Sequence, residues 1–145
     1  MTKRAEKAVS FFDEGFSCSQ AVLTSFSDLF GLDRRQALKI SQPFGGGIAH
    51  RGETCGAVSG AFLVIGLKFG RTEAEDLEAR EITYEKINEF IDRFSAAHDS
   101  ILCRDLLGVN LSEPGVLEKA EEAKLFESIC RPLIQSSVKI LEEIL

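Results

Sequence analysis

Apolar residues recur three and four positions apart along almost the whole chain, and no stretch alternates apolar with polar residues as a half-buried strand must. That absence constrains the fold more than any other feature, because a chain without strands has to bury its apolar stripes helix against helix. The punctuation agrees. A first helix over 2–14 ends at Gly15, and a second over 18–30 carries Val22, Phe26, Leu29 and Phe30 on one side before Gly31 closes it. Asp33 caps a third helix over Arg34 to Ser41, stopped by Pro43. Phe44-Gly45-Gly46-Gly47 then breaks the pattern, since each glycine in a helix interior costs about 1 kcal/mol relative to alanine.

Past this loop, Thr54 is a good cap for a fourth helix that opens at Cys55 and runs to about Phe69, ended by Gly70. Thr72 caps a fifth to about Phe94, with Leu77, Tyr84, Ile87, Phe90, Ile91 and Phe94 as its apolar stripe. Ser100 to Leu107 reads as a sixth, closed by Gly108, and residues 109–115 read as a loop. The C-terminal region is helical again, its last piece starting near Pro132 with Ile134, Val138, Leu141 and Leu145 on one face. With no repeat or linker, the expectation is an all-α fold: one domain over 1–145, a compact bundle of about six to seven helices.

Lys and Arg number 17 against 23 Asp and Glu, a net charge of −6. Such a chain does not neutralise a phosphate backbone, so nucleic acid is not the expected partner. The longest uncharged apolar run, Cys55 to Leu67, is too short to span a bilayer, so no membrane insertion is expected. Met1-Thr2-Lys3-Arg4 is basic, but no apolar segment of a signal peptide follows, and a cytoplasmic location is expected. A homodimer is left open, as is the redox partner.

In that compartment the four cysteines point to metal or redox chemistry rather than structural disulfides. Ser17-x-x-Gln20 is a capping box, which makes Cys18 the first residue of its helix, and Cys55 follows the Thr54 cap in the same way. Free amides and the positive dipole end at a helix N-terminus favour the thiolate, which is both nucleophile and metal ligand. Cys103 and Cys130 are each followed by an arginine, and Pro132 places Cys130 at a junction between helices. The alternative is that each cysteine is a small buried hydrophobe. The spacings of 37, 48 and 27 residues lack any Cys-x-x-Cys, so a four-cysteine site has to be assembled from four separate elements.

Gly56 and Gly60 share one helix face and leave a groove for another backbone or for a flat cofactor; close helix packing is the more ordinary use. The glycine loop lacks the Gly-Lys-Ser/Thr ending of a phosphate-binding loop. His50, five residues before Cys55, raises a Cys–His nucleophile pair, against the commoner case of a surface histidine; His98 is the only other histidine.

These residues carry a resemblance. Cys18, then Cys55-Gly56-Ala57-Val58-Ser59-Gly60, then Cys103, then Cys130 resemble the redox-active proteins named for the pattern C…CGAxxG…C…C. Gly45-Gly46-Gly47, Gly66-Leu67-Lys68-Phe69-Gly70 and Cys103-Arg104-Asp105-Leu106-Leu107-Gly108 extend the likeness over about residues 5 to 140. The resemblance implies a helical fold, four cysteines acting together and a redox role, but no substrate.

Four functions follow. The leading one is a thiol-based redox or electron-transfer protein, an oxidoreductase working through reversible disulfides or a bound centre. The others are a four-thiolate zinc or iron–sulfur protein with a sensory or structural role, a cysteine-nucleophile enzyme using Cys55, and a helical interaction protein with incidental cysteines. Cys18, Cys55, Cys103 and Cys130 are the catalytic and metal-ligand candidates, Gly56 and Gly60 the cofactor-binding candidates. Cys18 with Cys55 is the preferred pair, because both share the electrostatics of a helix start.

Overall fold

The computed structural model describes residues 1–145 and is all-helical, with no sheet. In order, the helices are α1 (Lys3–Asp13), α2 (Cys18–Ser27), α3 (Arg34–Ser41), α4 (Gly56–Phe69), α5 (Leu77–His98), α6 (Cys103–Leu107), α7 (Val116–Glu122) and α8 (Arg131–Ile144). That makes eight rather than six to seven, because Val116–Glu122 separates from the C-terminal helix. No helix is long and apolar enough to cross a membrane.

At the centre α2 packs against α4, with α1, α5 and α8 around them. α2 is buried on nearly every side, and so is α4 over Gly56–Ala61, which their small residues permit. Gly60 brings them together: a Cβ there would stand 2.9 Å from the Ser19 carbonyl oxygen and 3.1 Å from Ser19 Cα. Two of the serines buried here bond to neighbouring backbone, Ser19 Oγ donating to the Ser41 carbonyl at 2.7 Å and Ser137 Oγ to that of Ala57 at 2.7 Å, while Thr24 Oγ1 is buried without a partner. Leu23, Phe26, Ile65, Phe90, Phe94, Ile134 and Leu141 fill the main core. A smaller core of Cys103, Leu107, Leu111, Ala120 and Cys130 lies beside it, and Phe12, Cys18 and Ile129 touch both.

Three boundaries differ from expectation. Asp76, not Thr72, caps α5, its carboxylate accepting from the Ala79 amide at 3.0 Å. Leu77 and Tyr84 of its expected stripe are more than half exposed, because only the C-terminal half of α5, with Phe90 and Phe94, reaches the core. Around Cys55, Thr54 is drawn into an antiparallel bridge with Leu102, so Cys55 itself is the cap and Gly56 the first helical residue. The same bridge holds Ile101 and Leu102 out of α6, which starts at Cys103 rather than Ser100. Cys130 does sit at a junction, but within one continuous helical run: a π turn over Phe126–Cys130 leads into α8. Pro132 lacks an amide hydrogen and crowds the preceding turn, and the wider turn relieves both.

Candidate functional site

All four cysteines line one cavity of about 500 Å³ at the seam between the two cores. All four are free thiols. Each reaches the cavity through a local device legible in the backbone. Cys18 opens α2 behind the Ser17–Gln20 capping box, with the Ser17 amide donating to Gln20 Oε1 at 3.0 Å. Cys55 and Cys103 are placed by the Thr54–Leu102 bridge: the Cys55 amide donates to the Ile101 carbonyl and the Cys103 amide to that of Glu53, both at 2.7 Å. Residues on either side of such a pair alternate in direction, so Cys55 and Cys103 leave the bridge on the same face, diagonal to each other. Cys130 ends the π turn.

The glycine loop fits between these elements by close approach. A Cβ on Gly45 would meet Ser17 Cβ at 2.9 Å, one on Gly47 would meet Cys103 Cβ at 2.6 Å, and one on Gly56 would meet Cys18 Cβ at 3.2 Å. Gly47 also has φ +69°, which an L side chain resists. Of the two glycine candidates, Gly56 lines the cavity, whereas Gly60 lies outside it against Ser19 and Val22. His50 stands at the cavity edge, exposed, its ring against Gly46, and no hydrogen bond joins it to Cys55. His98 is remote from the cysteines, bonded to Ser136 Oγ at 2.8 Å.

The electrostatics correct the expectation of thiolates at Cys18 and Cys55. The hydrogen bond that Cys18 donates to Cys130, then burial, raises the Cys18 thiol well above its ordinary value. Burial pushes Cys55 up to about 12, overriding the Ala57 and Val58 amides that pull it down. Cys103 is pushed up to about 11, by burial and then by the charge of Cys130. Cys130 alone is lowered, because it receives the Cys18 hydrogen bond. Cys18 is influenced by Cys130 first, and by Cys55 and Cys103 after it. A helix end favours an anion only by its last turn, and burial in an apolar seam costs the anion more. Cys18, Cys55 and Cys103 each feel Cys130 as a repelling charge, so the cluster holds one negative charge far more readily than two.

No group of three or more Cys, His, Asp or Glu is disposed to hold a metal ion, so the thiols as arranged do not fit a preformed zinc or iron–sulfur centre. What the arrangement offers is one favoured thiolate with a protonated thiol donating to it.

Several cavity residues carried no signal of their own in the sequence. Phe12, Phe16, Leu106, Leu117 and Phe126 form its apolar walls. Arg131 lies at its edge, one amino group bonded to Asp13 and its Nε buried without a partner. Nothing local in the sequence says which helix face or turn will border a cavity.

No curated protein and no solved structure matches the chain. The family model described as "Putative redox-active protein (C_GCAxxG_C_C)" matches residues 16–144, a span that holds all four cysteines and the glycine loop. The chain's own order at the central motif is Cys55-Gly56-Ala57-Val58-Ser59-Gly60. On that match over most of its length, the chain belongs to this family of redox-active proteins.

Proposed function

We propose that the protein is a thiol–disulfide oxidoreductase whose exchanging pair is Cys130 and Cys18. The observation that carries the reading is the convergence of four free thiols on one cavity, where Cys18 and Cys130 shift each other's acidity in opposite directions. The Cys130 thiolate attacks one sulfur of a substrate disulfide, forming a mixed disulfide and expelling the other half as a thiolate. Cys18 loses its proton to that leaving group and attacks the Cys130 sulfur. The Cys18–Cys130 disulfide forms and the second half leaves as a thiolate, which takes up from water the proton that Cys130 gave to it on ionising. Two protein thiols are oxidised and one substrate disulfide is reduced to two thiols, so electrons and protons balance. Cys55 and Cys103, neutral at ordinary pH, keep the pocket from accumulating charge beside the attacking sulfur.

The test is thiol counting and disulfide mapping by mass spectrometry during titration with a small disulfide, on protein purified anaerobically and assayed for metal. The expected result is loss of two thiols per chain and a Cys18–Cys130 bridge. Four thiols tied up by one equivalent of zinc, or a visible iron–sulfur spectrum, supports the metal-centre reading instead.

A further inference from the structure

We propose that the disulfide this protein reduces is a small, apolar, uncharged or cationic molecule that enters the cavity, rather than an anionic disulfide or one held in a folded protein. The inference rests on the thiol-exchange reading and adds the substrate class. Three observations carry it. The first is depth: Cys55, Cys103 and Cys130 are 4 %, 7 % and 7 % exposed. Exchange requires the attacking sulfur to come into line with the substrate's S–S bond. A disulfide on the surface of a folded protein cannot descend to Cys130, whereas a cavity of about 500 Å³ is in the range that encloses small molecules.

The second is the wall. Phe12, Phe16, Phe126, Leu106 and Leu117 offer ring faces and aliphatic surface, with few groups to bond a polar backbone or a carboxylate. The third is the rim. Asp13, Glu121 and Glu127 are exposed lining residues, and Arg131 is the one arginine or lysine among them. One amino group of Arg131 is engaged by Asp13 and its buried Nε is unpartnered, while Glu121 and Glu127 make no ion pair. The entrance therefore carries a negative surplus that repels an incoming anion and is indifferent to a neutral molecule.

Reaction rates with two chromogenic disulfides test this: neutral 4,4′-dithiodipyridine and the dianion 5,5′-dithiobis(2-nitrobenzoate). Each rate on the folded, reduced protein is divided by the rate on the same chain in urea, which removes the intrinsic reactivity of each reagent. The expected result is a neutral-over-anionic preference at least tenfold larger in the folded protein than in the unfolded chain. The double substitution Glu121→Gln, Glu127→Gln, at exposed positions, should raise the anionic rate severalfold relative to the neutral rate. Equal preference in folded and unfolded chains, or an anionic rate indifferent to the double substitution, overturns the inference. Disulfide mapping of the same samples separates the two levels. A Cys18–Cys130 bridge formed without selectivity sinks the substrate class alone. Selective entry that stops at a mixed disulfide leaves the substrate class standing and sinks the exchange mechanism.

Discussion

Alanine substitutions at Gly60 and Gly66, two glycines on the same helix, should move stability in opposite directions. At Gly60 a new methyl would stand 2.9 Å from the Ser19 carbonyl oxygen and 3.1 Å from Ser19 Cα, both backbone atoms of α2 that cannot rotate away. The helices must part by roughly 0.5 Å, enough to forfeit about a quarter of the dispersion energy at the contact. Overpacking of this kind costs about 1–3 kcal/mol, against a gain of about 1 kcal/mol from replacing a helical glycine by alanine. At Gly66 a Cβ meets nothing within 4 Å and the position is exposed, so only the gain remains. An unfolding entropy of about 2.1 cal/mol/K per residue makes 1 kcal/mol worth roughly 3 °C in this chain. Gly66→Ala should melt about 2–3 °C above the parent, and Gly60→Ala about 3–9 °C below Gly66→Ala. Thermal unfolding in reductant, followed by far-ultraviolet circular dichroism, reads both. If Gly60→Ala melted at or above Gly66→Ala, the account of how α2 and α4 meet would be wrong.

The cysteine cluster yields three further expectations. Cys18→Ala removes the donor that lowers Cys130, and a hydrogen bond to a charged group is worth about 1.5 kcal/mol or more, so alkylation of Cys130 near neutral pH should slow by about an order of magnitude; an unchanged rate refutes the pairing. Cys55 and Cys103 keep their protons to about 12 and 11, above the ordinary 9.0, so the stability they contribute is whole below pH 9 and drains away as the unfolded chain ionises ahead of the folded one. Urea midpoints should therefore fall between pH 8 and about 10.5, and fall less in Cys55→Ala. Gly47→Ala forces a methyl against Cys103 and Glu53 at a positive φ, and should cost about 2 kcal/mol or more while speeding alkylation of Cys103.

Local chemistry made much of the fold legible. The Ser17–Gln20 box, the Asp33 cap and the left-handed closures at Gly31 and Gly108 lie where a reading of neighbouring residues puts them. The site was legible only as four cysteines and a glycine loop. Thr54 and Leu102 give no sign that they will pair, because the hydrogen bonds that join them belong to backbone any residue carries. That one unseen contact displaced a cap and shortened α6. The thiol energetics are hidden for a related reason: a helix start is visible in sequence, whereas the burial that outweighs it at Cys55 depends on what packs above it.

The Thr54–Leu102 bridge also sets an order of events during folding. Its two residues are 48 positions apart, and closing a loop of that length costs roughly 3.4 kcal/mol of chain entropy plus a constant before any contact rewards it. The enclosed segment holds α4 and α5, whose packing against each other supplies the closure. Cys55 and Cys103 are thus neighbours only after that helical pair has docked, and Cys130, the proposed partner of Cys18, is the last cysteine to leave the ribosome. For much of synthesis Cys18 therefore has Cys55 within reach before the partner proposed for it above. A reducing environment during synthesis therefore protects the pairing as well as the thiols themselves.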